Sequence, residues 1–194
     1  MLIRVFADNV LEFDGLRYRC ALGRSGVRAN KREGDGATPT GRFPLKRLYI
    51  RRDRVPAIET GLPITDIAPD DGWCDDPGRR EYNRPVKRPF DGSHEEMYRT
   101  DHLYDLVIEI GHNDAPPVPG AGSAVFIHVA KPDYAPTEGC IALARDDLVP
   151  LLASWNPEMA IDISGEPAES FFGRAPKIAV PTRTCVAPKE IAFS

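Results

Sequence analysis

Phe126-Ile-His-Val-Ala-Lys-Pro-Asp-Tyr-Ala-Pro-Thr-Glu-Gly-Cys-Ile-Ala-Leu143 is the stretch on which the reading of this chain turns. It opens as a strand, whose alternation sets His128 on the face of Phe126 and turns Ile127 and Val129 to the other. Pro132 and Pro136 force a turn-rich connection that returns the chain at Gly139-Cys140, long enough to bring the cysteine beside the strand end. A cysteine nucleophile acts as thiolate, and a nearby imidazolium lowers a thiol pKa from about 8.5 to below 7. Gly139 lets backbone approach a substrate closely. The amides around Gly139 and Cys140 are then expected to donate to a tetrahedral oxyanion. A second reading stays open on these residues alone: a lone cysteine as a small buried hydrophobe and a strand histidine as structure. Glu138, beside Cys140, counts against a thiolate.

Working outward, the flanking chain predicts a mostly β domain, a β-rich α+β fold with one or two short helices. Leu2 to Phe6 and Val10 to Phe13 read as strands, and Asp14-Gly15 is a strong hairpin signal. Leu16 to Leu22 alternates apolar and basic residues as a half-buried strand does. Gly23 to Gly36 is a glycine-rich loop, and Thr38-Pro-Thr-Gly-Arg-Phe-Pro-Leu45 is a turn feeding a strand to Ile50. Residues 51–102 show no sustained period and read as a long irregular insertion, a possible lid that holds Trp73, Cys74, His94 and His102. Strands are expected again at Leu103 to Gly111, Ala124 to Ala130 and Met159 to Ile163. Arg145 to Ser154 is the helix, with Asp146 and Asp147 in its first turn and Pro150 to kink or shorten it. One domain over 1–163 is expected, followed by a Pro-rich tail over 164–194.

Composition agrees. At 194 residues with 42% hydrophobic content the chain is long enough for one buried core. Gly 16 and Pro 19 together favour short strands and many turns over a helical bundle. A net charge of −4 argues against a nucleic-acid partner. No apolar run approaches the roughly 20 residues of a membrane-spanning helix. Met1 to Asp8 reads as a strand, so no secretory signal is expected there. The four cysteines, Cys20, Cys74, Cys140 and Cys185, match no zinc spacing and are too few for a disulfide scaffold. The runs Asn30-Lys31-Arg32-Glu33 and Arg51-Arg52-Asp53-Arg54 mix both signs and read as solvated surface.

Thr137-Glu-Gly-Cys-Ile-Ala-Leu143, the preceding Phe126-Ile-His128 and the upstream Ala37-Thr-Pro-Thr-Gly-Arg-Phe43 together resemble the L,D-transpeptidase (YkuD-like) catalytic domain. The resemblance covers roughly Leu2 to Ile163 without the insertion. It departs from the family pattern at Glu138, where a histidine is usual, at Ala142, and in a short His-to-Cys interval, which mark a divergent branch. It implies a β-sandwich or barrel with Cys140 as nucleophile, His128 as general base oriented by a backbone carbonyl, and no metal or cofactor. Gly139 and Cys140 would supply the oxyanion donors. His112, Asn113, Tyr134, Thr137 and Glu138 are the candidate substrate-binding residues. The implied substrates are peptidoglycan stem peptides, donor and acceptor, joined into cross-links through a thioester. A role in cell-wall biogenesis and cell shape, in the cell envelope or periplasm, would follow. Alternatives are an L,D-carboxypeptidase using the same site, a non-catalytic peptidoglycan-binding module, and, more remotely, a zinc site of His112, Asp114, His128 and Cys140.

Overall fold

Both residues of the Asp14-Gly15 turn take left-handed backbone angles, φ +50° and +74°, as a two-residue hairpin demands. That hairpin joins β2 (Val10–Phe13) to β3 (Leu16–Ala21), and β2 pairs antiparallel with β1 (Leu2–Phe6). The structure, a computed structural model, describes residues 1–170. The loop after β3 holds a small parallel ladder of β4 (Val27–Arg28) and β5 (Thr38–Pro39). The long β6 (Gly41–Ile50) follows, then β7 (Ile64–Asp66), β8 (Asp71–Cys74), β9 (Pro85–Lys87) and β10 (His94–Glu96). β11 (Leu106–Ile110), β12 (Phe126–Val129), β13 (Ile141–Leu143), α1 (Arg145–Leu152) and β14 (Ala160–Ile163) complete the domain.

The main sheet is nine-stranded, in the order β11-β12-β13-β3-β2-β1-β14-β6-β7. β11 also pairs with β6, so the sheet closes on itself into a barrel, with β7 added beside β6. Closure removes the open edges that such short strands would otherwise present. The expected mostly β fold is therefore the observed one. Ile3, Val5, Leu11, Ile108, Ile127 and Ile141 are all fully buried in one core. Burying each such side chain contributes about 1.5–3 kcal/mol. α1 lays Leu148, Leu151 and Leu152 into that core, and Trp155 meets Phe13 edge-on at 6.3 Å between ring centroids. The helix ends two residues after Pro150, earlier than Ser154. The tail's start is tied back by Ala7 N–H donating to the Glu166 carbonyl at 3.1 Å. Residues 171–194, with Cys185, lie outside the described residues.

Residues 51–102 are not irregular throughout, which corrects the sequence reading. β8, β9 and β10 form a three-stranded antiparallel sheet, and β7 pairs parallel with β6. Strands of three or four residues are too short to show a period, and the Gly and Pro around them read as loop. The sheet docks through Trp73, whose ring meets Phe126 edge-on at 5.0 Å and Tyr49 at 6.1 Å. Arg51 is not solvated surface either. It is 3% exposed, lies 3.4 Å from the centre of the Tyr98 ring and donates to the Arg99 carbonyl.

Asp105 clamps the return of the insertion. Its carboxylate is fully buried and accepts from Arg54 at 2.9 Å and Arg145 at 3.0 Å, with His102 Nδ1 at 2.9 Å. Asp105→Asn leaves two guanidiniums facing a neutral amide. It should cost about 3 kcal/mol, the low end for a broken buried pair because both arginines reach solvent. Urea unfolding of the variant measures this; an unchanged midpoint would remove the clamp from the account.

Candidate active site

Every residue of β12 is buried. Ile127 and Val129 enter the main core, while Phe126 joins a second cluster with Trp73, Tyr104, Val107 and Cys140. The alternation read from the sequence is thus kept, and His128 faces the second side, 5.3 Å from the Tyr104 ring. β13 runs parallel to β12 with His128 opposite Ala142. Cys140 therefore sits one strand across and two residues back from His128, on the order of 8 Å between Cα atoms by strand spacing and rise.

Thr137 shapes the turn into Cys140. Its hydroxyl donates to the Cys140 carbonyl at 2.7 Å and accepts the Gly139 N–H at 3.1 Å. The Gly139 amide is thus already engaged by the Thr137 hydroxyl. Gly139 has φ +139°, and a Cβ there would stand 2.8 Å from the Ala37 carbonyl oxygen. The backbone at Ala37, just before the Thr38-Pro-Thr-Gly41 turn, therefore packs against the turn into Cys140.

The Cys140 thiol donates to the Ala124 carbonyl at 3.1 Å, and its sulfur accepts the Phe126 N–H at 3.4 Å. Burial, then the Glu95 carboxylate, pushes the thiol up to about 12. His128 Nδ1 lies 2.9 Å from the Val129 carbonyl. That acceptor requires the proton on Nδ1 and leaves Nε2 as the basic nitrogen. Burial pushes the imidazole down to about 4. At neutral pH the resting site therefore holds a neutral thiol and a neutral imidazole, not the ion pair the sequence reading invoked. The reason is desolvation, which disfavours both charged forms.

Cys140, His128, Thr137 and Glu138 line one cavity of about 430 Å³. Glu138 points outward, 77% exposed, and pairs with Arg24 at 2.8 Å. The carboxylate that acts on the thiol is Glu95, from the insertion. Lys31 and Glu33 also line the cavity, so that run is not plain surface; the Lys31 side chain is 5% exposed and pairs with Asp35 at 2.6 Å. Asp75, Glu95, Arg99 and Tyr104 complete walls that the sequence did not reveal, because their placement depends on how the insertion docks.

Three candidates fall elsewhere. His112 Nε2 lies 3.2 Å from the Ala121 carbonyl and its ring meets Phe43 edge-on, while burial lowers its pKa. Asn113, at φ +47°, closes the 113–122 loop, donating to the Val118 and Gly122 carbonyls and accepting the Val118 N–H. Tyr134 lies under the Arg19 guanidinium at 4.3 Å and lines a separate pocket beside Cys20. None of the three lines the Cys140 cavity. The zinc reading goes with them: Asp114 is held by Lys46 and Arg84, and among the described residues no group of three or more His, Cys, Asp or Glu is arranged for a metal. Cys20, Cys74 and Cys140 are free thiols.

One buried residue was missed altogether. Asn83, at φ +56°, accepts from Trp73 Nε1 at 2.9 Å and the Ala124 N–H at 3.1 Å, and donates to the carbonyls of His112 and Asn113. It ties the insertion to Ala124, the residue whose carbonyl holds the Cys140 thiol.

The family model for the L,D-transpeptidase catalytic domain, YkuD, matches residues 2–163. The chain belongs to this family. Among solved structures, this YkuD-family chain is similar to the helical cell shape determining protein Pgp2 from Campylobacter jejuni. The identity is 13% and the TM-score 0.41, over 85% of this chain and 47% of that one, so the chain spans about half that protein's length. It is also similar to L,D-transpeptidase 1 from Mycobacterium tuberculosis, at 12% identity and a TM-score of 0.37, over 84% of this chain and 60% of that one. No curated protein sequence matches the chain. Among the described residues of this YkuD domain, no helix is long and apolar enough to cross a membrane.

Proposed function

We propose that this chain is a cysteine-dependent L,D-transpeptidase acting on peptidoglycan stem peptides, and so in the cell envelope. The observation that carries the reading is that Cys140 and His128 line one cavity, with His128 Nδ1 held by the Val129 carbonyl, inside a family-matched domain. The Cys140 sulfur attacks the carbonyl of the donor's diamino acid at its L-centre. The thiol proton passes to His128 Nε2 as the S–C bond forms, so the neutral pair needs no preformed thiolate. The Cys140 amide donates to the oxyanion. As the C–N bond breaks, His128 returns the proton to the departing amine and a thioester remains. An amine from a second stem attacks the thioester, its proton goes to His128, and the sulfur leaves to re-form the thiol with that proton. The product is an amide cross-link.

The test is intact-protein mass spectrometry after mixing the chain with purified tetrapeptide muropeptides, with proteolytic mapping of the adduct and the soluble products read together. An acyl adduct on the Cys140 peptide with cross-linked dimers is expected. The adduct with trimmed monomers and no dimers would make the enzyme a carboxypeptidase. No adduct with any stem length would leave a binding fold and overturn the reading.

A further inference from the structure

Asn83 does not line the Cys140 cavity, yet its buried side chain holds the backbone that holds the sulfur. Its Oδ1 accepts from Trp73 Nε1 at 2.9 Å and from the Ala124 N–H at 3.1 Å. Its Nδ2 donates to the carbonyls of His112 at 3.0 Å and Asn113 at 2.8 Å. Both lone pairs and both N–H donors are thus engaged, which leaves the amide one orientation. The neighbouring Tyr82 hydroxyl accepts the Gly122 N–H at 3.0 Å, so residues 82 and 83 grip alternate amides of the approach to β12. Ala124 has φ +50°, a left-handed angle that an alanine keeps only where its surroundings hold it. Its amide goes to Asn83, and its carbonyl takes the Cys140 thiol at 3.1 Å. The sulfur's other partner is the Phe126 N–H, and Phe126 pairs with Glu109 of β11 in the ladder. Strand pairing therefore fixes one partner of the sulfur, and Asn83 fixes the other.

We infer that Asn83 is a positioning residue: by anchoring Ala124 in its left-handed turn, it sets where the Cys140 sulfur rests and which way its S–H points. The inference rests on the reading of Cys140 as the nucleophile. A nucleophile displaced by about 1 Å from its line of attack loses roughly 10²-fold in rate. Without the anchor, Ala124 relaxes to an ordinary backbone angle and its carbonyl turns away from the thiol. A carbonyl that accepts the S–H favours the neutral thiol, so its loss eases ionisation. Two opposed effects follow. Cys140 reacts faster with a small alkylating agent, which needs no fixed approach, and slower with a donor that must be oriented.

The test sets Asn83→Gly, which tolerates the φ of +56° at this position and removes the amide, beside Asn83→Asp, which keeps the acceptor oxygen. Glu95 and Lys31, the charges that act on the thiol, stay in both. Iodoacetamide at mildly alkaline pH, with proteolytic mapping, should label Cys140 of Asn83→Gly about 2- to 12-fold faster than wild type, the range for one neutral hydrogen bond. Asn83→Asp should show no acceleration. Cys20 and Cys74, the other buried free thiols, should keep their wild-type rates in both variants. An unchanged Cys140 rate in Asn83→Gly, equal acceleration in Asn83→Asp, or a parallel rise at Cys20 and Cys74 would overturn the inference. Acylation by tetrapeptide muropeptides should fall about 10- to 100-fold in kcat for Asn83→Gly with KM unchanged, and an unchanged kcat would overturn it too. A wild type that is not acylated would overturn the acyltransferase reading instead, and labelling alone would then judge Asn83. One measurement on the wild type covers an Asn83→Gly chain that does not fold. The Ala124 amide, outside any strand, should resist hydrogen exchange like the amides of β12. Exchange at the rate of an open loop would overturn the anchor.

Discussion

Cys140→Ala should form no acyl adduct and lose turnover by roughly 10⁴-fold or more, as loss of a covalent nucleophile does. Cys140→Ser should fare little better. A serine hydroxyl is far less acidic than a thiol, and an imidazole pushed down to about 4 is a weak base for it. The fold should survive, because the side chain is small and its partners, the Ala124 carbonyl and Phe126 N–H, are backbone groups of one strand approach. Steady-state rates with a thermal melt on the same samples separate chemistry from folding. Measurable turnover by the alanine variant would end the assignment of the nucleophile. The pH sign follows from burial. A thiol raised to about 12 stays protonated through neutrality, so labelling of free Cys140 should keep rising with pH beyond 9, where an ordinary thiol levels off. A plateau near pH 7 would mean that an ion pair forms after all.

His128→Gln should lower turnover by about 10²- to 10⁴-fold while still leaving a slow acyl adduct, because it removes the proton carrier and not the nucleophile. Its pH behaviour discriminates further. The wild-type acid limb should lie near pH 4, where the buried imidazole titrates, instead of near the ordinary 6.5. Stability carries the same signature. The folded state holds His128 neutral while the unfolded chain protonates it from about 6.5 downward, so the His128 contribution to stability falls as pH drops from 6.5 to 4 and levels off below. In the glutamine variant that slope should shrink. A wild-type acid limb at 6.5 would show that His128 is solvated during turnover.

How far the chain announces its own fold and site differs from element to element. The Asp14-Gly15 hairpin, the β12 alternation and the helix after Arg145 were legible because each is set within a few residues, by turn angles, side-chain period and first-turn charge. Cys140 and His128 were legible for a related reason: a motif binds them into one short stretch, and parallel pairing of β12 with β13 then has little choice of register.

The strands of the insertion were not legible, nor were the true surroundings of Lys31 and Glu33. These depend on contacts between residues 30 to 90 positions apart, and composition weighs a buried charge and a solvated one alike. Asn83 is the plainest case. Nothing local marks it, yet four hydrogen bonds from one buried amide join the insertion to the wall behind Cys140. His112, Asn113 and Tyr134 show the converse, polar residues near the motif that local hydrogen bonds and ring contacts hold outside the Cys140 cavity.

By itself, then, the sequence determined the β-rich class and the family and brought Cys140 and His128 forward as the candidate pair, since short-range geometry and a contiguous motif suffice for those. Only the tertiary structure decided the protonation states and the walls of the cavity, because desolvation and Coulomb forces act through the space that folding creates and not along the chain.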